Sequence, residues 1–113
     1  MKLDFADYRV TIAIVPVDLR AGYVRLSAIA SCLMNIDVDQ GRDVVVFMSK
    51  NRQLCKVVWS DKYGHTLLNR RLNRGSFQKL LARVEDPNGM PVTKAEVLRY
   101  LDGQSVQVPR QSF

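Results

Sequence analysis

The chain has 113 residues, of which 47% are hydrophobic and 25% charged, with a net charge of +6. That is the composition of one globular domain, able to bury roughly 65% of its unfolded surface without disulfide staples, and it excludes wholesale disorder. No apolar run reaches the length of a membrane span and no small-residue cleavage site follows the N-terminal segment, so a cytoplasmic protein is expected.

In chain order, "YRVTIAIV" (Tyr8 to Val15) is rich in β-branched residues and stops at Pro16, which predicts a strand ended by a breaker. Asp18 follows where an N-cap belongs. Leu19, Tyr23, Leu26, Ala30 and Leu33 then recur at helical spacing, predicting an amphipathic helix from Leu19 to about Met34. "NIDVDQGRD" is a polar turn around Gly41. "VVVFMS" (Val44 to Ser49) is apolar on both faces and reads as a central strand.

"LCKVVW" (Leu54 to Trp59) puts Cys55, Val57 and Trp59 on one face and Lys56 on the other. "SDKYG" turns, and "HTLLNRRL" (His65 to Leu72) returns, so these three strands form a meander. Its second hairpin is expected to have Asp61-Lys62-Tyr63-Gly64 at the tip, Gly64 at positive φ and Trp59 against a helix. Phe77, Leu80, Leu81 and Val84 fit a short helix face, and "EDPNGMP" reads as loop. Thr93-Lys94-Ala95-Glu96 is a capping box, with Val92 and Val97 placed for a hydrophobic staple and Gly103 closing the helix. The expected architecture is an α+β domain over residues 1–103. It has an antiparallel sheet of about four strands, a meander plus the N-terminal strand, covered by two or three helices; residues 104–113 form a flexible tail.

Charge is unevenly placed. From Lys50 to Arg83 there are nine basic residues and one acid, Asp61, a local +8 that leaves the remainder at −2. Such a block suggests an anionic partner, the bland alternative being a solvated basic face. Lys50, Arg52, Lys56, Lys62, Arg70, Arg71 and Arg74 are the candidate nucleic-acid contacts. Arg70 and Arg71 point to opposite faces of their strand, so only part of the cluster forms one surface. Trp59 and Tyr63 are candidates for base stacking, with Trp59 better explained as core and Tyr63 free at the turn.

The supply of catalytic groups is thin. His65 is the single histidine and reads as a rim residue. Cys32 and Cys55 form no CxxC pair and read as two buried, reduced thiols. Asp37, Asp39 and Asp43 are the one carboxylate cluster, and Asp37 with Asp39 offers an outlying reading as a metal-dependent nuclease. They lie in a turn where Asp serves the backbone, so no catalytic residue, metal or cofactor is expected.

Several spaced motifs together resemble a known family. "PVDLRAGYVRL" resembles the PVDxRxGxxxL opening of the small accessory protein of IS66-type insertion sequences, the product of their second open reading frame, often called TnpB. "VVVFMSKNRQLCKVVWSDKYGHTLLNRRLNRGSF" and "VTKAEVLRYLDG" are similar to that family's middle and end, so the likeness runs from about Val10 to Gly103. On these motifs the signature positions are Pro16, Val17, Asp18, Arg20, Gly22, Leu26, Trp59, Asp61, Gly64, Arg71, Leu72, Gly75 and Phe77. Ala21, Asn73 and Ser76 depart from it, and the stretch after Phe77 lacks the usual Trp-Pro. The resemblance implies a non-catalytic accessory role in transposition, with DNA or the element's transposase as partner. It does not extend to the RNA-guided nuclease that shares the name, whose size and carboxylate set this chain lacks.

Overall fold

The computed structural model describes residues 5–18, 20–80 and 88–106. Its centre is β2 (Asp43–Met48), buried at all six positions, as its two apolar faces require. β1 (Arg9–Ala13), β3 (Leu54–Asp61), β4 (Gly64–Arg71) and β5 (Gly89–Val92) complete one sheet in the order β4-β3-β2-β1-β5. The expected meander is present, with β2–β3 and β3–β4 both antiparallel.

The sheet departs from expectation in two ways. It has five strands and it is mixed, because β1 runs parallel to β2. Parallel neighbours need a crossover, and α1 (Tyr23–Met34) supplies it. The fifth strand lies in part of the segment read as loop. It has four residues, one of them Gly89 and one Pro91, a composition that hides a strand. The bond from Ile14 N–H to the Asn88 carbonyl (2.9 Å) sets the β1–β5 pairing parity. By that parity Pro91, opposite Thr11, turns the side lacking an N–H outward, which an edge strand tolerates.

Two helical layers cover the sheet. α2 (Lys94–Leu101) places Val97, Tyr100 and Leu101 over Ile12, Val44 and Val57. On the other face α1 places Leu26 and Ala30 over Val45, Phe47 and Val58. α2 starts with the expected capping box: Thr93 Oγ1 accepts from Glu96 N–H (3.1 Å) and Glu96 Oε1 accepts from Thr93 N–H (2.9 Å). Val92 and Val97 pack into the same core, as a staple does. At the other end Gln104 N–H reaches the Arg99 carbonyl and Gly103 N–H the Tyr100 carbonyl. This pair of bonds is a Schellman motif, and Gly103 takes the φ of +82° it requires.

α1 is shorter than expected, and Asp18 is not its N-cap. Gly22 holds that position without a side-chain cap. Asp18 Oδ1 instead accepts from Arg20 N–H (2.8 Å), closing a local turn four residues before the N-cap. Residue 19, read as the helix start, lies outside the described residues. The helix expected across 77–84 is irregular over 76–80, although Phe77 and Leu80 are buried there; residues 81–84 lie outside the described set. Of the expected tail, Val106 packs into the core and its N–H donates to Gln78 Oε1 (2.7 Å), while 107–113 lie outside the described residues. Trp59 meets Phe5 edge-on at 5.1 Å between centroids, so an aromatic ahead of β1 fills the place expected for a helix. No helix is long and apolar enough to cross a membrane among the described residues.

Thr93→Ala is expected to lower unfolding stability by about 1 kcal/mol in urea titration, the usual cost of a lost cap. Asp18→Ala is expected to leave the urea midpoint nearly unchanged. A larger shift for Asp18→Ala than for Thr93→Ala would contradict these cap assignments.

Candidate nucleic-acid interface

The structure divides the sequence-predicted basic cluster. Lys56 is buried, and its Nζ donates to the Ala21 carbonyl at 2.8 Å, so it lies beneath the surface and not on it. Its parity on β3 was legible, but its cover was not: Lys56 points to the α1 side, where the loop before α1 closes over it. Arg70 extends to the end of α2, donating from Nε to the Leu101 carbonyl (3.1 Å) and from Nη2 to Asp102 (3.2 Å). Arg52, at φ +58°, exchanges bonds with Phe77: its carbonyl accepts from Phe77 N–H at 2.6 Å and its Nε donates to the Phe77 carbonyl at 3.3 Å. These two guanidiniums are engaged in holding loops and a helix end.

Lys62 is exposed but sits at the β3–β4 turn, over the Tyr63 ring at 5.1 Å. The length of β3 separates it from the start of that strand by roughly 24 Å. Asp61 Oδ1 shapes this tip by accepting from Tyr63 N–H (2.8 Å) and Gly64 N–H (3.1 Å). Gly64, paired with Asp61 as expected, has φ +159°, and Tyr63 is 87% exposed.

Lys50, Arg71 and Arg74 remain exposed together at the opposite end of the sheet. Three loops are stitched there by backbone bonds. Val17 bridges Ser49, and its N–H donates to the Met48 carbonyl; Leu72 N–H donates to Gln53; Phe77 N–H donates to Arg52. Signature residues far apart in sequence therefore meet: Asp18, Arg20 and Gly22 on the first loop, Arg71, Leu72, Gly75 and Phe77 on the third. Arg20 joins the basic end, its side chain 91% exposed and paired to Asp18 at 3.3 Å. The Arg20 hydrogen bonds hold the Asp18 carboxyl below its ordinary range. Sequence reading missed Arg20 as a member of this surface because only the parallel β1–β2 pairing brings its loop beside Lys50.

The loop that carries Arg20 leads directly into the N-terminus of α1. Gly22 leaves the first N–H groups without a side-chain cap, and a Cβ there would meet nothing within 4 Å. No steric or conformational demand inside the fold accounts for this glycine. A bare helix N-terminus two residues after Arg20 favours an anion. Of the other signature residues, Trp59, Asp61 and Gly64 lie on or beside the hairpin tip and take no part in this surface.

Of the groups weighed for catalysis, His65 and Asp39 meet, and the other carboxylates are engaged with the backbone or with Arg9. His65 is exposed, stacks on Tyr23 at 4.4 Å and has Nδ1 3.8 Å from Asp39. Asp39 also accepts from the Tyr23 hydroxyl (2.7 Å), and burial followed by that bond pushes the Tyr23 phenol up. Asp37 caps the short 3₁₀ turn Val38–Gln40, and Asp43 is buried against Arg9 at 2.9 Å. Among the described residues no three His, Cys, Asp or Glu side chains gather as a metal site would need. Cys55 is buried as expected, and burial pushes its thiol up, but Cys32 is exposed on α1. On the helical wheel Cys32 lies about 120° from Leu26, off the buried Leu26–Ala30 stripe.

A thiol-reactive disulfide reagent is therefore expected to label Cys32 in the folded protein and Cys55 only after unfolding. Equal labelling rates in native buffer would contradict this packing of β3.

Comparison with known proteins supplies the context. The sequence matches the family described as IS66 Orf2 like protein over residues 8–111. Over 69 residues it is 35% identical to the "Uncharacterized protein y4hO" of Sinorhizobium fredii (strain NBRC 101917 / NGR234), covering 61% of this chain. The match spans 59% of that relative's length. No solved structure matches.

Proposed function

This chain belongs to the IS66 Orf2-like family, accessory to transposition, and on that premise we propose that it is a non-catalytic module that associates with DNA through its basic end. The observation that carries the reading is the convergence of Arg20, Lys50, Arg71 and Arg74 on three stitched loops, the first of which leads into the uncapped start of α1. Phosphate contacts of this kind position a protein on a duplex without reading its sequence. Neither helix of the described fold offers the Arg, Asn and Gln face of a recognition helix. Sequence preference is accordingly slight, and strand transfer is left to the element's transposase, the second partner. The same cations suit a carboxylate-rich segment of that transposase, since carboxylate and phosphate make similar demands on arginine.

With about four phosphates contacted, log affinity for duplex DNA falls with log salt at a slope near −3.6, roughly a 150-fold loss between about 50 and 200 mM. Reversing Lys50, Arg71 and Arg74 to Glu is expected to abolish binding at the lower salt, while Lys62→Glu, at the far tip, changes it little. Gly22→Asp separates binding from folding. It adds a cap worth a few tenths of a kcal/mol, yet sets a carboxylate where the phosphate would sit, so stability rises as affinity falls. Absence of duplex binding at about 50 mM salt would reject the DNA reading. The surface would then pass to an acidic partner, for which the transposase is the first test.

A further inference from the structure

The two edges of the sheet are finished differently. β5 is four residues long and turns Pro91 outward, so its free side offers a strand little to pair with. β4 is eight residues long, and among the described residues no strand covers its outer side. The Leu72 N–H bond to the Gln53 carbonyl (3.0 Å) fixes the parity of the β3–β4 ladder. Gly64, Thr66, Leu68 and Arg70 direct their backbone groups to β3, and His65, Leu67, Asn69 and Arg71 direct theirs outward.

The usual guards of an open edge are scarce. From Gly64 to Asn69 the strand carries no lysine, arginine, carboxylate or proline. Arg70 is drawn away to Asp102, which leaves Arg71 alone at one end. The strand is also electrically polar. Arg71, with Arg74 beyond it, marks its C-terminal end; at its N-terminal end Asp61 offsets Lys62, and His65 has Asp39 at 3.8 Å.

We infer that β4 is a self-association edge, on which a second copy of this chain pairs its own β4 in antiparallel register to continue the sheet. Only the antiparallel direction brings unlike charge together. In the register that uses all four outward residues, His65 stands opposite Arg71 of the second copy and Leu67 opposite Asn69. By strand alternation these side chains share the face covered by α1. Arg71 of each copy thus approaches the His65–Asp39 pair of the other. A parallel arrangement would set Arg71 against Arg71. The pairing is isologous, as closed two-fold dimers require. It rests on one strand edge per chain, so the interface is small and the dimer weak.

Sedimentation equilibrium over a wide concentration range tests the inference on the full chain. The mass is expected to rise reversibly from one chain to two, and to fall back when salt is added. Asn69→Pro removes one outward N–H and leaves the β3 ladder intact; it is expected to weaken association tenfold or more. Asn69→Lys, which keeps the backbone unaltered, sets a charge against Leu67 of the second copy and is expected to do the same. Circular dichroism verifies that each variant is folded, and the lysine variant carries the test if proline perturbs the strand. A single-chain mass at every concentration overturns the inference, as does a dimer that the folded variants leave intact. Asn69 lies outside the basic end, so failure here is distinguishable from failure of the DNA reading.

Discussion

A parallel pair of neighbouring strands cannot be joined by a tight turn, and that constraint on β1 and β2 organises the rest of the molecule. The chain must leave β1 at one end of the sheet, cross over, and re-enter β2 from the other. α1 makes the crossover, so the loop before α1 lies beside the turn that leaves β2, tied to it through the Val17–Ser49 bridge. Everything assigned to the basic end follows from that adjacency. In the all-antiparallel sheet suggested by the strand pattern, Arg20 and Lys50 would have no reason to meet.

Lys56 makes the arrangement firm. Its ammonium is buried and donates to the Ala21 carbonyl, immediately before the start of α1. A hydrogen bond from a charged donor contributes about 1.5–3 kcal/mol where it is well formed, though burial of the charge offsets part of that. The residue is better understood as a strut beneath the basic end than as part of its exposed face. The chain's positive charge thus does two jobs. Buried Lys56, half-buried Arg52 and exposed Arg70 tie loops and a helix end by hydrogen bonds, while Lys50, Arg71, Arg74 and Arg20 stand exposed at the basic end.

The sequence made some of this legible for definite reasons. β2 was readable because five apolar residues in a row, Val44 to Met48, have no polar face to expose; the meander, because its turns are short; α2, because a capping box and a closing glycine mark both ends. β5 was not, since four residues that include glycine and proline carry no strand signal, and only pairing with β1 makes them a strand. Asp18 misled because an Asp that closes a local turn and an Asp that caps a helix look alike four residues upstream. Cys32 misled through the apolar composition of α1, of which only Leu26 and Ala30 are fully buried. The candidate surface was half legible: its charges were evident, but which were struts and which were free depended on contacts between distant segments.

The central claim is that one end of the sheet, and not the whole basic stretch, meets the anionic partner. Amide chemical-shift mapping with a short DNA duplex at low salt tests it most directly. The largest shifts are expected at Arg20–Val24, Lys50–Gln53 and Arg71–Gly75, with Lys62, Tyr63 and Gly64 unmoved. Shifts centred on the hairpin tip, with the three stitched loops silent, would contradict it.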